Sequence, residues 1–86
     1  MNTTFLLMAQ YNAQAIIPVE TVCRDYFPHL SLAKFVQKVG AGDIAIPLVR
    51  IEPSQKSAKG VHVQDLADYI DRRREAALKE CRQLNG

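Results

Sequence analysis

The 86-residue sequence predicts one small α+β domain of the winged helix-turn-helix type, with a helix before it and a long helix after it. Three observations carry the prediction. Leu32, Phe35, Val36 and Val39 recur at i, i+3, i+4 and i+7, one face of a helix over residues 31–40. A second amphipathic run, Val19, Val22, Cys23, Tyr26 and Phe27, precedes it, with Pro28-His29-Leu30 between the two. That is the spacing of two helices joined by a tight turn. Two short β-rich runs, 47–52 and 61–63, then flank a polar segment over 53–60, the pattern of a hairpin with a long tip.

Each element follows from local chemistry. Thr3 or Thr4 is a capping candidate for a first helix over residues 5–12, with Phe5, Met8, Ala9 and Tyr11 turned inward. In a weaker alternative, Leu6 and Leu7 on another side meet a second subunit. Ala15-Ile16-Ile17 is a brief apolar run that reads as a short strand, stopped by Pro18. Pro18 suits a helix start, where its missing N–H costs nothing. Pro28 ends that helix by disfavouring helical geometry at Phe27. Ser31 is the capping candidate for the next helix, and Gly40 or Gly42 its left-handed stop. Pro47 fits only the start or edge of the first hairpin strand. The last helix begins near Gln64, with Leu66, Ala67 and Ile70 in the core, and its stripe resumes at Ala77, Cys81 and Leu84. Some twenty helical residues span roughly 30 Å, more than a domain this size covers. Residues 71–86 therefore read as a projecting tail suited to self-association.

Composition narrows the classes. With 48% hydrophobic and 23% charged residues, the chain is globular rather than disordered. Residues 1–53 carry four basic and four acidic side chains, residues 54–86 seven and five. Cys23 and Cys81 have no metal-type spacing and suggest no disulfide framework, so a reduced, cytoplasmic setting is expected. No run approaches the ~20 apolar residues of a membrane span. No catalytic constellation, phosphate loop, metal site, cofactor site or small-molecule ligand is indicated, and an enzyme is not expected.

The functional reading starts on the outer face of the 31–40 helix. Ser31, Lys34, Gln37 and Lys38 make it cationic, amide-bearing and free of carboxylates. Lys suits phosphates, and Gln can pair with a base edge in the major groove. The hairpin tip offers a second acid-free surface through Ser54, Gln55, Lys56, Ser57 and Lys59, with Gln55 or Lys56 placed to reach a minor groove. Arg50 either faces the same ligand or pairs with Glu52 or Asp43. Together these residues point to double-stranded DNA, and the two surfaces are expected to lie side by side. His29 is a phosphate candidate, and His62 is read as structural. Arg72, Arg73 and Arg74 are expected to be ion-paired on a solvated face, because Asp68, Asp71 and Glu75 stand three or four residues from Arg72, Arg74 and Lys79; the alternative is that one of these arginines reaches a phosphate or bridges to a second subunit.

Several segments carry a resemblance to a known family. Phe5-Leu6-Leu7-Met8-Ala9-Gln10-Tyr11-Asn12, Val22-Cys23-Arg24-Asp25-Tyr26-Phe27, Ser54-Gln55-Lys56 and the run from Gly60-Val61-His62-Val63 through Gln64-Asp65-Leu66-Ala67-Asp68-Tyr69-Ile70-Asp71 closely resemble the pyocin activator protein PrtN family. The likeness covers essentially the whole chain. It implies a transcriptional activator that binds promoter DNA boxes and switches on genes for phage-tail-like bacteriocins or related prophage functions. The arrangement also looks like MerR-type and excisionase winged helices, at the level of fold alone. Expected partners are promoter DNA, RNA polymerase and a second copy of the chain, at the nucleoid in the cytoplasm. Two rivals remain: an excisionase-like factor that bends DNA, and a protein–protein adaptor working through its last helix.

Overall fold

In the computed structural model, which describes residues 2–54 and 57–85, seven elements follow in order. They are α1 (Thr3–Gln10), β1 (Ile16–Pro18), α2 (Val19–Tyr26), α3 (Leu32–Gly40), β2 (Val49–Arg50), β3 (Lys59–His62) and α4 (Val63–Asn85). The three strands form one antiparallel sheet in the order β1-β3-β2. The fold is therefore small and α+β. The 15–17 run becomes a true strand, shifted by one residue, and it pairs with β3 through Ile16↔His62 and Ile17↔Val61. The hairpin strands are shorter than 47–52 and differ from 61–63. The segment before β2 stays irregular because its isoleucines turn into the core: Ile44 and Ile46 are buried. Beyond Arg50 the pairing thins to a bond from the Ile51 N–H to the Ala58 carbonyl at 3.3 Å, and the Ile51 side chain is 65% exposed.

The first helix packs differently from its sequence pattern. Asn2, not a threonine, caps it: the side-chain oxygen accepts from the Thr4 N–H at 2.7 Å. Thr3 and Thr4 face α4 instead, where their hydroxyls donate to Asp71 Oδ1 (2.6 Å) and Gln64 Oε1 (3.3 Å). That choice of face buries Leu7 and Tyr11, four and eight residues after Thr3. It turns Phe5, Leu6, Met8 and Ala9 outward. The expected inward Phe5, Met8 and Ala9 are thus corrected, as is an outward Leu7.

The core is built around Phe35, Ile17, Leu66, Val22 and Val61, all essentially without solvent contact. A side chain of this kind contributes about 1.5–3 kcal/mol when fully buried. His62 is structural, as the sequence suggests. Its Nδ1 accepts the Gln64 N–H at 3.0 Å, which ties off a free donor at the start of α4.

Gly60 lies inside β3, between Pro18 of β1 and Val49 of β2, rather than in the hairpin tip. A Cβ there would fall on Ile16 Cγ2 and stand 2.9 Å from the Ile17 carbonyl oxygen. The backbone oxygen cannot move without disrupting the ladder. Gly60→Ala is therefore expected to destabilise by about 1–3 kcal/mol, read as a fall in the urea midpoint with an unchanged slope. An unaffected midpoint would show that β1 does not approach β3 this closely.

Tyr11 and Asp25 clasp α1 to α2. The Tyr11 hydroxyl donates to Asp25 Oδ2 at 2.7 Å, and the Arg24 Nε donates to Asp25 Oδ1 at 2.9 Å. Arg24 first, then Tyr11, holds the Asp25 carboxyl below its usual range. Burial first, then the bond to Asp25, pushes the Tyr11 phenol far above its usual value. The stability from Asp25 is present above about pH 4 and lost as pH falls. The stability from Tyr11 is present below about pH 10 and lost as pH rises, since the unfolded chain ionises its phenol first. Tyr11→Phe is expected to flatten the alkaline decline of the urea midpoint. Equally steep declines in both proteins would contradict the clasp.

At about 1.5 Å per residue, the 23 residues of α4 span about 34 Å. Residues 71–85 are exposed apart from the half-buried Leu78. The expected ion pairs along it do not form, because the carboxylates have other partners. Asp68 accepts from the Gln64 amide at 2.9 Å, Asp71 from Thr3, and Glu75 meets Arg82 at 3.7 Å.

Candidate nucleic-acid interface

The candidate surface is set by how α3 is held. Val19, Val22 and Cys23 bury the inner stripe of α2, with Tyr26 and Phe27 half-buried beside it. The Phe27 N–H closes α2 on the Cys23 carbonyl, and the Leu30 N–H bonds the Phe27 carbonyl at 3.0 Å. The Cys23 thiol donates to the Leu30 carbonyl at 3.5 Å, so a small core residue also steadies the turn. Ser31 caps α3 as expected, its Oγ accepting from the Lys34 N–H at 3.2 Å. Its hydroxyl oxygen is thereby engaged in folding.

Aromatic rings fix the inner face of α3. Phe27 lies 4.7 Å from Phe35 and 5.9 Å, edge-on, from Tyr69 of α4, centroid to centroid. Arrangements of this kind contribute beyond the area they bury. Tyr69 is a residue the sequence pattern does not single out. It follows Leu66 by three residues, so the stripe it belongs to was present to be read.

On the outer face, Lys34 and Gln37 are exposed and Lys38 is half-buried. All three line one cleft together with Ala41 and Asp43. The helix itself carries no carboxylate, but the structure brings one to its edge. Gly42 adopts φ +82°, and the Asp43 N–H folds back to the Lys38 carbonyl at 2.9 Å. That turn needs a residue tolerant of positive φ, which glycine supplies. A recognition surface read from the helix alone misses Asp43.

The hairpin places Arg50 directly opposite Lys59 in the β2–β3 register. Like charges in that position repel. Neither side chain has a hydrogen-bond or ion-pair partner among the described residues, so Arg50 pairs with neither Glu52 nor Asp43. Lys59 lines a cleft at the hairpin base with Glu20 of α2, Ile51 and Gly60. Ser57 is turned to local structure: its hydroxyl donates to the Glu52 carbonyl at 2.9 Å. The Ser54 N–H also bonds the Glu52 carbonyl, at 2.7 Å. Gln55 and Lys56 lie outside the described residues. His29 is exposed in the α2–α3 turn, its ring 6.3 Å from that of Phe27.

Among the described residues, no group of three or more His, Cys, Asp or Glu is placed to hold a metal. No described helix is long and apolar enough to cross a membrane. Comparison with curated proteins and with solved structures gave no significant match. The family model of the pyocin activator protein PrtN matches residues 3–77, which takes in α1, all three strands, α2, α3 and the first two-thirds of α4. The chain belongs to the pyocin activator protein PrtN family, a regulatory family rather than an enzyme family.

Proposed function

We propose that this activator works by binding promoter DNA sequence-specifically, with α3 as the recognition helix and the β2–β3 hairpin as a wing. The observation that carries the reading is the grouping of Lys34, Gln37 and Lys38 in one surface cleft on a helix whose opposite face is locked by aromatic packing. A rigid helix with cationic and amide side chains outward suits the major groove, where lysines set register on phosphates and Gln37 reads a base edge. Membership of an activator family supports it, and the unneutralised pair Arg50 and Lys59 gives the wing a charge that phosphate would relieve. The genes served are those for phage-tail-like bacteriocins or related prophage functions, and the place of action is the nucleoid. The chain acts as one domain, and within the tail 71–86 the apolar stripe Ala77, Cys81 and Leu84 is the surface for self-association. A second copy multiplies modest single-site affinity through effective concentration. Bound at the promoter, the protein assists RNA polymerase.

Binding to a pyocin promoter fragment and to a random duplex of equal length tests this. The wild-type chain is expected to prefer the promoter fragment, and Gln37→Ala to lose that preference more than total affinity. A lost base contact is worth about 1–3 kcal/mol of discrimination. Equal binding to both duplexes by the wild type would contradict sequence-specific recognition. A uniform loss in Gln37→Ala would remove Gln37 from base readout.

A further inference from the structure

The cationic surface does not end with α3. Asp43 lines the α3 cleft with Lys34 and Lys38, and it also lines a second cleft with Arg72 and Arg73 of α4. The two clefts thus adjoin at one residue and form a trough with four cations and one carboxylate. Its α4 wall is not a loose solvated face. An Arg72 guanidinium N–H donates to the Ala45 carbonyl at 2.9 Å, tying the middle of α4 to the connection that leaves α3. Asp68, the carboxylate that the sequence offers to Arg72, is engaged by Gln64, and Asp71, the carboxylate next to Arg72 in the chain, by Thr3. Arg73 is exposed and has no acidic partner among the described residues.

We infer that the Arg72–Arg73 step of α4 is a second phosphate-binding wall, gripping the backbone of the same duplex whose groove α3 enters. This rests on the proposed DNA-binding reading and extends it to residues outside the recognition helix and the hairpin. Arg73 contacts phosphate, and Arg72 fixes the distance between the two walls. Neither reads sequence, because phosphate contacts position a protein without reporting base identity. Asp43 lies on the path of the backbone and opposes it, so it moderates affinity. That gives the inference a signature of both signs: one substitution in the trough weakens binding and another strengthens it.

The test is a salt series of binding to promoter and random duplexes, using the full chain as wild type, Arg73→Gln, Asp43→Asn and Arg82→Gln. All three positions are exposed, so each variant is expected to keep the wild-type helix content, to be checked by circular dichroism. Arg73→Gln is expected to weaken both duplexes equally and to lower the slope of log affinity against log salt by about one. Asp43→Asn is expected to tighten both. Arg82→Gln, far along the tail, is expected to leave the slope unchanged. An unchanged slope in Arg73→Gln, or no tightening in Asp43→Asn, overturns the inference while leaving α3 as the reader. An equal loss in Arg82→Gln also overturns it, since the effect would then be general charge. A wild-type chain without salt-dependent binding overturns the DNA-binding reading itself, and this inference with it.

Discussion

Phe35→Ala is expected to lower the unfolding free energy by about 3–5 kcal/mol. Phe35 has no solvent exposure and its ring lies against Phe27. Removing it deletes the transfer energy of the ring, opens a cavity and leaves Phe27 without its stacking partner. A small domain has about 5–15 kcal/mol of net stability in all, so much of it would be lost. The consequence is also functional. Phe35 is the inward anchor of the helix whose outward residues are Lys34, Gln37 and Lys38, so a loosened core leaves the recognition face without a fixed direction. Urea unfolding followed by circular dichroism reads the first effect. A cost below about 1 kcal/mol would mean that α3 is not docked through this ring.

The double variant Lys34→Gln/Lys38→Gln has the larger expected effect on binding. If each lysine neutralises one phosphate, the slope of log affinity against log salt falls by about two. Gln keeps good helix propensity and retains most of the stem, which matters because Lys38 is half-buried. The loss is expected to be similar on promoter and random duplexes, in contrast to Gln37→Ala, which acts on discrimination. An unchanged slope would place the phosphate contacts elsewhere on the molecule. The expected order of effects on the slope, double lysine variant, then Arg73→Gln, then Arg82→Gln, separates a local interface from mere net charge.

Helices with a strong stripe and explicit end signals were legible before the structure. Pro18, Pro28, Ser31 and Gly42 mark boundaries through their own backbone chemistry, and α2 and α3 lie within a residue or so of those marks. The helix α1 was legible in existence but not in facing. Its apolar residues run nearly all round, so the burial choice is made by the long-range bonds of Thr3 and Thr4 to α4. Local periodicity does not contain them. The sheet shows the same limit. Pairing of β1 with β3 depends on the close approach permitted by Gly60, a glycine that in sequence looks like part of a turn.

The candidate site divides along the same line. Lys34, Gln37 and Lys38 share a face because helical spacing alone puts them there. Asp43, Arg72 and Arg73 join them only through the Gly42 turn and the Arg72 bond to Ala45. Sequence spacing instead paired Asp68 with Arg72 and Asp71 with Arg74. The structure gives both carboxylates to uncharged donors, Asp71 to Thr3 of α1 and Asp68 to Gln64 one turn earlier on α4, and an exposed arginine must lose rotamer freedom to pair with either.

Titrating the isotope-labelled chain with a promoter duplex, and following every backbone amide by NMR, puts the interface on the map residue by residue. The expected result is a block of large shifts over the start and outer face of α3, Ser31 to Lys38, with further shifts at Asp43, Arg50, Lys59 and Arg73 and little change in α1. Shifts confined to α1 and the distal half of α4, with the α3 amides unmoved, would contradict the assignment of α3 as the helix that meets DNA.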